Sequence, residues 1–196
     1  MNNLEIIKNN FLQNQEINIA TISKITPSIE KATLKIFSMI KDSGKLMSCG
    51  NGGSSGDAQH ITSEFVNRFE TERKEMPAIS LNSDTATITS IANDYDYKYI
   101  FSKQIGAIGT SKDLLMAFTT SGNSENIIEA INIAQKNSIG VILVTGNNGG
   151  KASKILTNND IEICIPSNRT SRIQEMHLII IHAICECLDN HLSVTS

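Results

Sequence analysis

Apolar side chains recur at helical spacing through the first part of this chain. Over residues 3–22, and again over 27–42, apolar positions follow one another at intervals of three or four, which puts them on one face of a helix. Thr26 and Pro27 separate the two stretches, and proline has no backbone N–H with which to continue a helix. The pattern predicts two N-terminal amphipathic helices with a break between them.

After these helices the pattern changes to short apolar runs, each followed by a turn and a longer amphipathic stretch. Short apolar runs bounded by turns are typical of strands that are buried on both faces of a sheet. Strands that alternate with helices predict an α/β fold with a parallel, doubly wound sheet. The five predicted strands are residues 45–49, 78–81, 114–118, 141–144 and 161–165.

Composition and charge exclude several classes of protein. The chain has 196 residues, of which 40% are hydrophobic, and no linker long enough to divide it. We therefore predict a single domain over 1–196, with a helical segment at 1–43 and an α/β core at 44–196. Its net charge of −3 leaves little basic surface for the phosphates of a nucleic acid, so we expect no nucleic-acid partner.

The distribution of apolar residues and cysteines indicates the compartment. No apolar stretch approaches the roughly 18 residues that a membrane span needs, and the N-terminus lacks the basic and apolar regions of a signal peptide. The four cysteines form no CxxC pair, which fits neither a disulfide framework nor a thiolate zinc site. We expect a cytoplasmic protein with reduced cysteines and no membrane contact.

A glycine-rich segment, GNGGSSGD at 50–57, follows the first predicted strand. Its glycines allow close approach of the backbone to a ligand, and free N–H groups and hydroxyls can hold an anion near the start of a helix. The dinucleotide fingerprint fails because Ser55 stands where its last glycine would be, and no GK[ST] of a Walker A motif follows. The segment is a ligand loop or an ordinary strand-to-helix turn.

A second polar segment follows the third predicted strand. Thr119, Thr120, Ser121 and Ser124 supply four hydroxyls in six residues, at the mouth of a helix whose first turn exposes unpaired N–H groups. A phosphate suits this position. The alternative, a serine N-cap, accounts for Ser124 but not for the other three hydroxyls.

Two pairs of side chains could carry acid–base or metal chemistry. His60 and Glu64 are four residues apart on a helix predicted to open at Asp57, so both project from one face. Gln174 and His182 are about 80° apart around the last helix, close enough to share a face. That helix is otherwise strongly apolar, and a histidine within it needs a partner.

The other polar candidates have ordinary structural explanations. A histidine taken alone is most simply a hydrogen-bonded structural residue. His177 and His191 belong to neither of the two polar pairs described above. We interpret them as structural or surface residues. Asn93 and Asp94 could bind hydroxyl groups of a ligand or form an ordinary turn.

Together these segments resemble the sugar isomerase (SIS) domain family, and within it the phosphoheptose isomerases that act on sedoheptulose 7-phosphate. The resemblance spans nearly the whole chain. Each segment is weak evidence by itself, but five in the same order are specific. The segments are CGNGGSSGDAQH at 49–60 with Glu64, IAND at 91–94, TTSGNS at 119–124, TGNNGG at 145–150 and SRIQEMHLIIIH at 171–182.

The resemblance implies a fold, an assembly and a set of site residues. It implies a flavodoxin-like, five-stranded parallel sheet flanked by helices, in a homotetramer with active sites between subunits and N-terminal helices used for assembly. It also implies a zinc ion at His60, Glu64, Gln174 and His182. Thr119 stands where related isomerases often have serine, from which we expect little effect. The implied substrate positions, with the phosphate on the hydroxyls, are Asn51, Gly52, Gly53, Glu64, Asn93, Asp94, Thr119, Thr120, Ser121, Ser124 and Gln174.

The chemistry of the implied reaction assigns two roles. Interconverting a 2-ketose and an aldose moves a proton between two carbons through an enediol, which requires a base and an acid. Glu64 is the expected base and His182 the expected acid. A residue that holds zinc is a poorer base or acid, so the zinc could serve as a Lewis acid or as a structural ion, and both readings stay open. The implied product is D-glycero-D-manno-heptose 7-phosphate, for ADP- or GDP-heptose of lipopolysaccharide or capsule.

Other members of the family offer competing functions. NRFETER at 67–73, MPAISLN at 76–82 and IAND also resemble SIS proteins that bind the bacterial replication initiator DnaA as scaffolds. Those relatives lack the acidic base and the histidine of the last helix, so Glu64 and His182 favour an enzyme, without excluding a dual function. A sugar-phosphate sensor fused to a DNA-binding module does not fit, because the predicted domain takes up the 196 residues and leaves no segment for a helix-turn-helix. An isomerase of another sugar phosphate, such as arabinose 5-phosphate or hexulose phosphate, is a further alternative that the two polar pairs disfavour.

Overall fold

A five-stranded parallel sheet forms the centre of the protein, of which a computed structural model describes residues 2–194. The strand order is β2-β1-β3-β4-β5, and each neighbouring pair is parallel. This is the order of flavodoxin-like doubly wound sheets, so the predicted fold is confirmed. The strands are β1 Leu46–Gly50, β2 Ala78–Ser80, β3 Leu114–Thr119, β4 Gly140–Gly146 and β5 Ile161–Ile165.

Helices cover both faces of the sheet and divide the core into two layers. Along β3, Leu114, Met116 and Phe118 face the layer beneath α1, α2 and α7, while Leu115 and Ala117 face the layer beneath α3, α4 and α5. Burial on both faces explains why the strands are continuous apolar runs. The helices are α1 Asn3–Lys41, α2 Gly53–Val66, α3 Thr85–Asp94, α4 Ser102–Ile108, α5 Glu125–Lys136, α6 Gly150–Lys154 and α7 Thr170–Val194.

The first helix differs from the sequence prediction. α1 runs without interruption through Thr26 and Pro27, so the predicted break between two helices is wrong. Proline deprives the carbonyl of Ser23 of its helical N–H, but both residues are exposed and water can take that carbonyl. Ile25 and Ala32 stay buried on either side, and packing of α1 against α7 continues the helix. Among the helices of residues 2–194, none is long and apolar enough to cross a membrane.

The strand order determines where a ligand can bind. The chain leaves β1 toward β2 on one side and returns to β3 on the other, so a crevice opens beyond the ends of these neighbouring strands. β1 ends at Gly50 and β3 at Thr119. The two polar segments found in the sequence therefore begin side by side at one edge of the sheet.

Candidate active site

The glycine-rich segment forms a tight turn from β1 into α2. Gly52 has a φ of +56°, a left-handed conformation that glycine adopts without strain. At Gly53, an added Cβ would lie 2.5 Å from the side-chain nitrogen of Gln174, so a larger residue would displace that side chain from its present position. The helix begins at Gly53 rather than at Asp57 as predicted, because the glycines form its first turn instead of a loop before it.

The hydroxyl-rich segment turns from β3 into α5. Thr119 Oγ1 accepts a hydrogen bond from the N–H of Gly122 at 3.2 Å, and Ser121 Oγ accepts one from the N–H of Asn123 at 3.2 Å. Ser124 is the N-cap residue of α5, yet its side chain caps no N–H. Capping therefore does not explain this serine, and its hydroxyl is available to a ligand.

The two segments and the start of α7 enclose an open cleft of about 330 Å³. Its volume lies within the range of small-molecule sites. Thr170, which the sequence reasoning missed, also lines it; its position at the start of the helix that follows β5 was the available signal. Eight of the predicted substrate residues line the cleft: Asn51, Gly52, Gly53, Thr119, Thr120, Ser121, Ser124 and Gln174.

A hydrogen-bonded pair of amides fixes the side chain of Asn51 at the cleft wall. Asn51 Nδ2 donates to Asn126 Oδ1 at 2.8 Å, and Asn126 Nδ2 donates back to Asn51 Oδ1 at 2.8 Å. Tyr97 Oη donates to the same Asn51 oxygen at 3.3 Å. The sequence carried no signal for Asn126 or Tyr97, because their roles depend on contacts with a distant part of the chain.

Three of the predicted substrate residues lie apart from the cleft: Glu64, which is described with the acid–base candidates below, Asn93 and Asp94. Asn93 and Asp94 are exposed at the C-terminal end of α3, and Asn93 Nδ2 donates to Asp94 Oδ1 at 2.8 Å. Neither residue lines the cleft. Their contact with substrate stays a prediction, and within one chain they are not brought together with the other substrate positions.

The acid–base candidates converge on the neighbouring faces of α2 and α7. His60 Nε2 lies 3.1 Å from Glu64 Oε1 and 3.3 Å from His182 Nε2. His182 is 122 positions after His60, so only packing of the two helices creates this contact. The rings of the two histidines meet edge to face, with centroids 5.1 Å apart and an interplanar angle of 67°. None of the three side chains lines the cleft.

A buried polar pair holds the two helices together midway along their contact. His177 Nδ1 lies 2.9 Å from Asp57 Oδ2, and both side chains are almost fully buried. Contacts at Gly53 with Gln174, at Asp57 with His177 and at His60 with His182 advance in the same direction, so α2 and α7 run parallel. The structural interpretation of His177 is confirmed, and His191 stacks on Phe37.

The donor set can be compared with the zinc site that the resemblance implies. Two imidazole nitrogens bound to one tetrahedral zinc ion lie about 3.3 Å apart, which matches the spacing between the nitrogens of His60 and His182. The end of Gln174 lies at Gly53, and eight residues of α7 rise about 12 Å between Gln174 and His182. Within residues 2–194, no group of three or more His, Cys, Asp or Glu side chains converges closely enough to hold a metal ion. The structure thus provides the histidine pair but not a complete set of four ligands.

The two buried cysteines supply no reactive thiolate beside this site. All four are free, and Cys49 and Cys185 are buried. Burial, followed by the charge of Glu64, raises the pKa of Cys185 to about 12, and burial also raises the pKa of Cys49. These two thiols therefore stay protonated at neutral pH, and neither is a nucleophile or a thiolate ligand.

Known proteins resemble this chain over almost its full length. The SIS domain profile matches residues 11–146. A phosphoheptose isomerase from Colwellia psychrerythraea is 50% identical over 189 residues, which are 96% of each chain. The structure of a phosphoheptose isomerase from Francisella tularensis is similar with a TM-score of 0.94 and 39% identity, over 97% of this chain and 100% of that one. The phosphoheptose isomerase of Neisseria gonorrhoeae has a TM-score of 0.91 and 36% identity, over 95% and 98% of the two chains.

Proposed function

Because the chain belongs to the SIS domain family and to its phosphoheptose isomerase branch, we propose that it converts sedoheptulose 7-phosphate to D-glycero-D-manno-heptose 7-phosphate. The observation that supports this reaction most directly is the convergence of Glu64, His60 and His182 on two adjacent helices. A carboxylate and an imidazole side by side are the two groups that an enediol isomerisation requires. The product supplies the heptose of lipopolysaccharide or capsule.

Glu64 is the base in this proposal and His182 the acid. The carboxylate of Glu64 takes the proton from C1 of the ketose and returns it to C2 of the enediol. The imidazole of His182 delivers a proton to O2 as negative charge develops there, and it takes the proton of O1 as the aldehyde forms, which restores its starting state. His60, in contact with both side chains, orients them.

The cleft binds the phosphate end of the substrate. Thr120, Ser121 and Ser124 present hydroxyls to it, and α2 and α5 both begin at the cleft, where the positive ends of their dipoles favour an anion. Asn51 and Gln174 are positioned to bind hydroxyl groups of the sugar. These contacts hold substrate and transition state alike, so they contribute to binding rather than to the chemical step.

A zinc ion is part of the proposal, with His60, Glu64, Gln174 and His182 as the residues that would hold it. The histidine pair supports this set, since both the donor type and the nitrogen spacing suit zinc. Bound there, zinc would supply Lewis acidity to the oxygens of the substrate, or a structural charge that fixes the side chains. Gln174 has to leave Gly53 to join the set.

We also propose a homotetramer with active sites between subunits. The acid–base residues lie on an open helix face, outside the cleft of their own chain, and the exposed apolar side chains of Leu178 and Ile179 are on the same helix. On α1, the apolar residues Leu4, Phe11 and Ile19 are 68% to 77% exposed. Burial of these surfaces between copies would bring the acid–base pair of one chain toward the cleft of another.

The location of the protein is proposed to be the cytoplasm. All four cysteines are free, as expected in a reducing compartment. Fractionation of the source cell, with detection of the protein by antibody, tests this location.

The test of the reaction is NMR of the zinc-loaded protein with sedoheptulose 7-phosphate in D2O. Heptose 7-phosphate with deuterium at C2 is the expected result, since a carboxylate base exchanges its proton with solvent. Product without deuterium would point to a shielded proton transfer or a hydride shift. Turnover of another sugar phosphate, and not of sedoheptulose 7-phosphate, would mean that the proposed substrate is wrong. Binding of DnaA without turnover of any sugar phosphate would favour the scaffold alternative over the enzyme.

Mixed oligomers test whether the sites lie between subunits. Glu64→Gln removes the base, and Ser121→Asp places a negative charge where the phosphate binds. If each site combines two chains, co-expression of these two inactive variants restores part of the activity. If verified mixed oligomers remain inactive, the base and the phosphate-binding residues of each site belong to the same chain.

A further inference from the structure

The segment 67–73, NRFETER, has no role in the proposed reaction but lies against the acid–base residues. Phe69 stacks on the imidazole of His182, with ring centroids 5.5 Å apart and an interplanar angle of 27°. The ring of His60 meets the same imidazole edge-on. Two aromatic rings therefore contact His182, although the residue itself is on an exposed face of α7.

A buried ion pair fastens this segment to both helices of the site. Arg73 Nε donates to Asp189 Oδ1 at 2.8 Å, and each side chain is about 5% exposed. Arg73 Nη2 donates to the backbone carbonyl of Glu64 at 2.6 Å, at the C-terminal end of α2. Asp189 Oδ2, on α7, accepts hydrogen bonds from the N–H groups of Glu70 and Thr71. The segment is thus anchored to the two helices that carry Glu64 and His182.

We propose that Phe69 is a positioning residue for the reaction, whose ring holds the imidazole of His182 in the orientation that acid catalysis requires. An imidazole on an exposed helix face rotates readily about its terminal torsion, which has broad minima. Stacking restricts that rotation and keeps Nε2 of His182 facing Nε2 of His60 at 3.3 Å. Phe69 contacts the acid and not the reacting atoms, so it acts through His182.

The ion pair of Arg73 and Asp189 explains why Phe69, a loop residue, can restrict the ring that it stacks on. Segments between helices and strands are usually the mobile parts of a fold. Here the hydrogen bonds of Arg73 and Asp189 hold the backbone on either side of Phe69, and the ring itself packs against the apolar layer beneath α1, α2 and α7. A ring fixed at both its backbone and its side chain can fix the ring that stacks on it.

The inference rests on the proposed role of His182, and its first test is independent of activity. The chain has four histidines, so labelling at Cε1 gives four proton–carbon signals, and the signal lost in His182→Asn identifies His182. In metal-free protein, the ring current of Phe69 shifts this signal upfield. Phe69→Leu should move it downfield, whereas Phe69→Tyr, which keeps the aromatic face, should leave it in place.

Kinetics of the same two variants test the consequence for catalysis. We expect Phe69→Leu to lower kcat three- to tenfold, the range that corresponds to one aromatic contact, with KM within about twofold. Phe69→Tyr should stay close to the unmodified enzyme. Equal melting temperatures for the two variants exclude a general loss of structure as the cause.

Asp189→Asn weakens the anchor without touching the rings. It should move the His182 signal part of the way downfield and lower kcat in proportion. An unchanged signal in Phe69→Leu, or equal losses of kcat in the Leu and Tyr variants, would overturn the inference. Absence of any turnover by the unmodified enzyme would refute the proposed function instead, while the NMR signal would still decide whether the ring is held.

Discussion

The cleft and the acid–base face both include residues of α2 and α7, yet they are constructed in different ways. The cleft is assembled from two strand-to-helix turns, and most of its polar groups are hydroxyls and amides close to each other in sequence. The acid–base face joins His60 and Glu64 on one helix to His182 on another, with no local turn involved. The polar groups of the cleft come mostly in short local segments, whereas the acid–base face exists only through the packing of two helices.

In the proposed function, this difference separates binding from chemistry along a single pair of helices. Gln174 contacts the glycine turn at one end of the α2–α7 contact, and His182 contacts His60 at the other. The buried Asp57–His177 pair lies between them and keeps the two helices in register. Changes in the cleft should therefore alter KM, while changes on the acid–base face should alter kcat.

The largest effect is expected from Glu64→Gln. The substitution keeps the size of the side chain and removes its basicity, so kcat should fall by about a thousandfold, within the range for loss of a general base. Substrate binding and oligomeric state should persist, as measured by calorimetry and light scattering. Normal turnover would remove Glu64 from the role of base.

His182→Asn should reduce kcat by about a hundredfold, since an amide cannot deliver a proton to the developing oxyanion. The zinc content, measured by elemental analysis, should fall as well if the residue is a ligand. Gln59→Asn, a change of an exposed residue on the same helix as His60, is a suitable control. Unchanged metal content would take His182 out of the zinc site.

Ser121→Ala tests the other half of the comparison. Loss of one hydrogen bond to a charged phosphate should raise KM by about tenfold and leave kcat nearly unchanged. Steady-state kinetics with sedoheptulose 7-phosphate measures both quantities. A fall in kcat at constant KM would contradict the placement of the phosphate in the cleft.

Low pH should weaken the buried ion pair between Arg73 and Asp189 that anchors the segment 67–73 to the acid–base face. Burial alone would raise the pKa of Asp189, but hydrogen bonds from Arg73, Thr71 and Glu70 lower it overall. A carboxylate with a lowered pKa stabilises the fold above its unfolded pKa, about 3.9, and this contribution disappears as the pH falls through the folded value.

Asp189→Asn measures this contribution directly. It should lower the melting temperature by roughly 5–10 °C at pH 7, because it breaks a buried ion pair. The difference from the unmodified protein should shrink below about pH 4. Glu72→Gln, which breaks an exposed pair with Arg68, is the matched control. A difference that does not change with pH would mean that Asp189 is not stabilised as the anion.

The smallest effect is expected from Thr119→Ser. The hydroxyl that accepts the N–H of Gly122 is retained, and only a buried methyl group is removed at the cleft wall. Both kcat and KM should stay within about twofold, as steady-state kinetics would show. A larger change would show that the methyl group shapes the substrate site.

Several elements were predictable because they depend on local pattern. Buried runs and turn residues gave the strands to within about two residues, and their alternation with helices gave the doubly wound sheet. The continuation of α1 through Pro27 was not predictable. Proline removes one hydrogen bond and so destabilises the helix locally. The packing of α1 against α7, which involves residues far away in the sequence, stabilises the helix by more than that cost.

The sequence by itself determined which residue types stand at the carboxyl edge of the sheet, and with them the family and the cleft. Only the tertiary structure decided that His60 meets His182, that Asn126 and Tyr97 hold Asn51, and that Phe69 stacks on the proposed acid. The physical reason is the range of the interactions. Turns and caps are made by neighbours in the chain, whereas each of these contacts joins residues 46 to 122 positions apart.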